Sequence, residues 1–164
     1  MKIDLTNIPQ DGKYIKFTFR PDWWNPDFQN DHIIGLSMPL SGWIKLHYFA
    51  KKVAVEGAVS TTLKLRCDRC LEPYDKPLSI NFKFFLSVTP YTGDLDIELS
   101  EEDLSLIFVD GNYLCIDQII KEQIILNTPM KTICSVDCKG LCPVCGCNLN
   151  FETCSCAKKL NRIK

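Results

Sequence analysis

A chain of 164 residues has room for one domain with a real core, or for one domain carrying a small appended module, but not for two full domains. With 46% hydrophobic and 24% charged residues it is composed like an ordinary globular protein, which excludes disorder over most of its length. A formal net charge of -1 and a pI near 6.1 exclude a globally basic nucleic-acid binder, so any RNA contact has to come from a local patch.

The opening residues, Met1-Lys2-Ile3-Asp4-Leu5, lack the basic stretch and apolar run of a secretory signal, and no apolar run reaches the ~18 residues of a membrane helix. The expected compartment is the cytosol, with no membrane role. Thiols stay reduced there, so ten cysteines at paired spacings read as metal ligands before disulfides.

Most of the chain reads as strands. Between Lys13 and Arg20, Ile15, Phe17 and Phe19 alternate with Lys16, Thr18 and Arg20, the period of a sheet with one wet face. The same alternation recurs at Ile44, Leu46 and Tyr48, at Val53 and Val55, at Leu63 and Leu65, and from Ile80 to Leu86. These are expected to be successive antiparallel strands, since no βαβ alternation supports a parallel sheet. The acidic stretch from Asp94 to Asp103 reads as a strand leading into a charged, solvated turn rather than a catalytic cluster. Asp110-Gly111 is expected to turn a hairpin between two apolar strands. One helix follows at about 116–126, where Ile116, Ile119, Ile120 and Ile124 form a stripe and Pro129 ends it.

After Thr132 the composition changes abruptly, with cysteine and glycine replacing aliphatic residues. The expected organisation is a mainly β (α+β) domain over 1–132, an antiparallel sheet or partly open barrel with one helix. A cysteine-rich zinc module with a basic tail follows over 133–164.

The candidate zinc ligands are Cys134, Cys138, Cys142, Cys145, Cys154 and Cys156, with Cys67 and Cys70 upstream. Zinc takes four thiolate or imidazole ligands in a tetrahedron, and a short loop carrying two thiolates supplies two corners without long-range folding. Cys142-Pro143-Val144-Cys145-Gly146 has that form. Pro143 fixes a backbone angle, and Gly146 can take the positive φ that turns amides toward the sulfurs. Either Cys154/Cys156 or Cys134/Cys138 could complete this loop. Counting Cys67 and Cys70 with the six C-terminal thiols gives eight, enough for two four-coordinate sites, with Cys115 and Cys147 spare. The expectation is therefore one zinc ion or two. A redox role for Cys67/Cys70 is the competing reading, though the βαβ context of a thioredoxin-like pair is missing. Neither His32 nor His47 accompanies a nucleophile pattern, so no catalysis and no small-molecule substrate are expected.

The string Cys67-Asp68-Arg69-Cys70-Leu71-Glu72-Pro73, the Asp110-Gly111 turn with its helix and Pro129, and Cys138-Lys139-Gly140-Leu141-Cys142-Pro143-Val144-Cys145-Gly146-Cys147-Asn148-Leu149-Asn150 together resemble the YceD family of large ribosomal RNA subunit accumulation proteins. The likeness runs from about Leu63 to Cys156, and Cys147 departs from the family pattern. It implies a non-enzymatic factor for 23S ribosomal RNA accumulation or processing and large-subunit assembly, with a β-rich body. Some members lack the C-terminal cysteines, so zinc here would stabilise the chain end rather than carry the common function. The implied partner is large-subunit ribosomal RNA or a ribosomal protein. Candidate phosphate contacts are Lys131, Lys139, Lys158, Lys159, Arg162 and Lys164, and Trp23-Trp24 is a candidate for base stacking. The alternative without RNA is a zinc-dependent protein-binding module.

Overall fold

In the computed structural model, the described residues are 1–24, 32–49, 52–87, 106–108 and 111–156. Their strands are β1 (Lys2–Asp4), β2 (Lys13–Phe19), β3 (Ile33–Leu36), β4 (Leu40–Phe49), β5 (Lys52–Arg66), β6 (Pro73–Ser87), β7 (Leu106–Phe108) and β8 (Tyr113–Cys115). The helix α1 spans Ile116–Asn127. Among the described residues no helix is long and apolar enough to cross a membrane.

Alternation decides which face of the sheet is wet. β2 pairs antiparallel with β4 from Lys13↔Leu46 to Phe19↔Leu40, and β4 with β5 from Ser41↔Ser60 to Phe49↔Lys52. Residues opposite each other share a face. One face therefore carries Ile15, Phe17, Ile44, Leu46, Val55 and Val59, the last five of them buried; the other carries Tyr14, Lys16, Trp43, Lys45, Glu56 and Ala58. Gly57 belongs to the apolar face because the Phe82 ring occupies the space a side chain would need: an added Cβ would lie 2.4 Å from Phe82 Cζ.

The mainly β architecture, with one α-helix among the described residues, agrees with the sequence expectation, and α1 buries Ile116, Ile119, Ile120 and Ile124 as its stripe requires. Three local expectations need correction. Val53/Val55 and Leu63/Leu65 belong to one strand of 15 residues, because Glu56 to Ser60 keep the period of two and no turn residue intervenes that the pleat cannot absorb. Asp110 lies outside the described residues, but the strands expected to form a hairpin around Asp110-Gly111 do not pair with each other: β7 pairs with β6, whereas β8 pairs with β1 in a separate two-stranded sheet. The β6–β7 pair is also parallel, through Phe85↔Leu106 to Ser87↔Phe108. Its connection includes the acidic stretch 94–103, which lies outside the described residues.

The chain gathers into two discontinuous compact units. The first comprises Met1–Phe19, Leu40–Ser60 and Leu78–Thr128; it contains the β2–β4 pair, the β1–β8 pair and α1. The second comprises Arg20–Pro39, Thr61–Pro77 and Pro129–Lys164. In it β3 pairs with the last part of β5 through Ile33↔Leu65 and Leu36↔Leu63, with a bulge between. Trp24, in this unit, is 5% exposed and meets Trp23 edge-on at 6.3 Å. A ring buried that far has no face free for a base, so the stacking expectation is withdrawn for Trp24; Trp23 is half-buried.

Candidate metal centres

Eight cysteines of the second unit form two groups of four: Cys67, Cys70, Cys134 and Cys138 in one, Cys142, Cys145, Cys154 and Cys156 in the other. Within each group all Sγ atoms lie within 4.8 Å of one another. Each group combines two chain segments. The Cys142/Cys145 loop takes Cys154/Cys156 as its partner, and Cys134/Cys138 turn instead to the upstream pair.

The two Cys-x-x-Cys loops share a backbone construction. Leu71 N–H donates to Cys67 O at 2.9 Å, and Gly146 N–H donates to Cys142 O at 2.9 Å. Both donor residues have positive φ, 62° at Leu71 and 73° at Gly146. The turn thus fixes the conformation whether or not glycine is present, and Leu71 accepts a strain that a Cβ makes unfavourable. In the wound conformation N–H groups face the first sulfur of each loop. Burial by itself pushes the Cys67 thiol up, but N–H donation from Cys70, Cys134 and Arg69 brings it down to about 6. The N–H groups of Cys145 and Val144 hold Cys142 down at about 6 as well.

Cys134 and Cys156 behave oppositely, whereas the Asn150 amide holds Cys138 below its ordinary value. Burial first, and then thiol contacts with Cys138, Cys67 and Cys70, push Cys134 up to about 12. Contact with the Cys145 thiol, with burial second, pushes Cys156 up to about 12. Crowded sulfurs resist several negative charges at once unless a cation balances them, and a coordinating cation deprotonates thiols outright. Both groups therefore have the composition and spacing of sites that can hold a metal ion.

The first group is braced by contacts that cysteine counting did not reveal. Thr132 is fully buried; its N–H donates to Asp68 Oδ2 at 2.6 Å and its hydroxyl to Arg66 O at 2.7 Å, while Asp68 N–H donates back to Thr132 O at 2.7 Å. His32 Nδ1 stands 2.9 Å from the other oxygen of Asp68. The Arg69 guanidinium donates to Cys138 O at 3.0 Å, and Asn150 Nδ2 donates to Cys138 Sγ at 3.4 Å. Asn150 also accepts from Lys139 N–H at 2.8 Å and is tied to Asn148 Oδ1 at 2.9 Å. The Asn148-Leu149-Asn150 string carried a signal in the sequence, since short amides beside cysteines suit turns that donate to sulfur.

Cys115 and Cys147 stand outside both groups. Contact with the Cys145 thiol pushes Cys147 up to about 12, and its carbonyl accepts from Cys142 N–H at 2.9 Å. Lys131 and Lys139 are exposed in the same unit. Lys158, Lys159, Arg162 and Lys164 lie outside the described residues.

Comparison with known proteins adds a family. The model for "Large ribosomal RNA subunit accumulation protein YceD" matches residues 55–162. The chain is 29% identical over 136 residues to the chloroplastic large ribosomal RNA subunit accumulation protein YCED homolog 1 of Zea mays, covering 69% of this chain and 46% of that protein. It is 28% identical over 131 residues to the Arabidopsis thaliana protein of the same name, covering 66% and 41%. An uncharacterized protein of Mycobacterium tuberculosis is 28% identical over 109 residues, covering 66% and 51%. The chain spans about half the length of these curated relatives. No solved structure matches it.

Proposed function

Because the chain belongs to the YceD family of large ribosomal RNA subunit accumulation proteins, we propose that it is a non-enzymatic factor in ribosome biogenesis. In this reading it supports accumulation or processing of 23S ribosomal RNA and assembly of the large subunit, by binding that RNA or a ribosomal protein. The observation that carries the reading is the family match over residues 55–162, which takes in both cysteine groups and α1. Lys131 and Lys139, with Lys158, Lys159 and Arg162, are the phosphate contacts proposed beside the cysteines. The cytoplasm is the proposed compartment, in keeping with ten unpaired cysteines.

Each cysteine group is proposed to hold one zinc ion, two per chain. A tetrahedron of sulfurs ~2.3 Å from zinc has edges of ~3.8 Å. Cys67 Sγ to Cys138 Sγ is 3.8 Å and Cys70 Sγ to Cys134 Sγ is 3.7 Å, which supports that fit. Four protein ligands leave no open coordination position, so zinc here would cross-link chain segments and bind no substrate. The redox alternative is disfavoured because Cys67 and Cys70 are 0% and 3% exposed, and a reactive thiol pair needs access to its target.

Gradient sedimentation of cell extract at moderate salt tests the function. Comigration with large-subunit precursors, and a shortage of mature 23S RNA when the chain is depleted, are expected. A chain that comigrates with no ribosomal particle and pulls down no ribosomal RNA overturns the proposal. Metal analysis tests the sites, with two zinc ions per chain expected and none refuting them.

A further inference from the structure

The wet face of the large sheet in the first unit carries an arrangement that the cysteine groups do not explain. Tyr14 and Trp43 stack across β2 and β4, with ring centroids 5.6 Å apart and planes at 25°. Lys16 lies opposite Trp43 and holds its Nζ 6.0 Å from the Tyr14 ring centroid; Lys45 lies opposite Tyr14. Tyr14 is 54% exposed, and Lys16 and Lys45 are exposed. Beside Trp43 the surface dips into an open depression of about 350 Å³ lined by Ser41, Ala58, Ser60 and Ser79, with Lys16 at its rim.

We propose that this face binds single-stranded RNA, with a base on the Tyr14/Trp43 platform, the next in the serine-lined depression, and phosphates at Lys16 and Lys45. Every base has a π-face, so exposed aromatic rings on a sheet accept single strands with little regard to sequence. Small floor residues let a flat ring approach the backbone, and serine hydroxyls can donate to or accept from base edges. The charge fits a polyanion. Lys16, Lys45 and Lys83 share the face with Glu56, and Lys83 engages Glu56 at 3.0 Å, although the whole chain is net negative. The volume falls within the ~300–1,000 Å³ of ligand clefts. Tyr14, Lys16, Trp43 and Lys45 precede the residues matched by the family model, and Ala58, Ser60 and Ser79 lie within them. The inference rests on the ribosomal reading only for the source of the RNA.

Fluorescence anisotropy with a labelled mixed-sequence ribodecanucleotide tests it, using the full zinc-loaded chain. Tyr14→Ala is expected to weaken binding about fivefold or more, and Tyr14→Phe to retain it. The double variant Lys16→Gln/Lys45→Gln is expected to reduce the salt slope of log K by ~1.4, two single-strand contacts at ~0.7 each. RNA should quench tryptophan emission in the parent and not in Trp43→Phe. Unchanged melting temperature and zinc content establish that the variants fold, and the exposed lysine pair provides a readout even if Tyr14→Ala does not. Parental affinity and salt slope in the lysine variant overturn the inference. So does loss of ribosomal-particle association in that variant with oligonucleotide binding intact, which would assign the face to a protein. A parent chain that binds the oligonucleotide here but joins no large-subunit precursor overturns the proposed function and supports this inference.

Discussion

Replacing Cys67 and Cys70 together with serine tests the two proposed metal centres separately and measures what the first one would hold. Cys67 and Cys138 are 71 positions apart, so an ion joining them closes a long loop in the unfolded chain. The loop-closure relation assigns such a cross-link ~4 kcal/mol, against ~3 kcal/mol for the roughly 15-residue loop from Cys142 to Cys156. Besides contacts to sulfur, the hydrogen bonds across the same junction among the described residues run from Thr132 to Asp68 and to Arg66, from Asp68 to Thr132, from Arg69 to Cys138, from Leu141 to Arg69 and from Asn148 to Glu72. At ~0.5–1.5 kcal/mol each they total roughly 3–9 kcal/mol. That is below the ~10–16 kcal/mol of apparent binding energy typical of structural zinc. The double variant should therefore contain one zinc ion rather than two, melt well below the parent, and expose the segment from Pro129 to Cys138 to protease. The matching Cys142→Ser/Cys145→Ser variant should also lose one ion, with proteolysis confined to residues after Gly140. Metal analysis, thermal unfolding and mass mapping of fragments provide the readouts. Retention of both ions in either variant, or simultaneous loss of both in each, would refute two separate four-cysteine centres.

Leu71→Gly should relieve the left-handed strain of ~1–2 kcal/mol at φ 62° while adding ~0.5–1 kcal/mol of unfolded-chain entropy. The expected result is a melting temperature at or slightly above the parent's, and a clear fall would count against the strain assignment. Gly57→Ala places a Cβ against the Phe82 ring and should cost ~1–3 kcal/mol by denaturant unfolding; parental stability would show that the ring moves freely. The hydrogen bond from Lys83, opposed by burial, holds the Glu56 carboxyl below its ordinary value. A carboxyl lowered by folding stabilises at neutral pH and loses that contribution as pH falls through its folded value. Lys83→Met should thus cost under ~1 kcal/mol at pH 7, with the gap from the parent closing in acid. A gap that widens on acidification would contradict the pairing.

Several parts of the architecture can be read from local sequence because each rests on periodicity alone. Ile15, Phe17, Ile44 and Leu46 specify one face of a sheet by alternating with polar neighbours, and Ile116, Ile119, Ile120 and Ile124 specify a helix by recurring at its pitch. Strand continuity is less legible. Gly57 and Ala58 interrupt the aliphatic run without breaking the pleat, so two sequence segments are one long β5. Asp110-Gly111 marks a turn but says nothing about which strands it joins; β7 and β8 find partners in different sheets. Trp24 looks available for stacking beside polar residues, and only its burial shows otherwise.

By itself, the amino-acid sequence determined that thiols crowd residues 134–156, and that Cys142 and Cys145, separated by two residues, can wind so that both sulfurs face one point. It also determined a sheet with one polar face. Which cysteines meet was decided only by tertiary structure: spacing along the chain cannot distinguish a partner 12 residues downstream from one more than 60 residues upstream. The strand register and the Thr132, Asp68, Arg69 and Asn150 contacts settle it, bringing Cys134 and Cys138 to Cys67 and Cys70 and leaving Cys142 and Cys145 to Cys154 and Cys156.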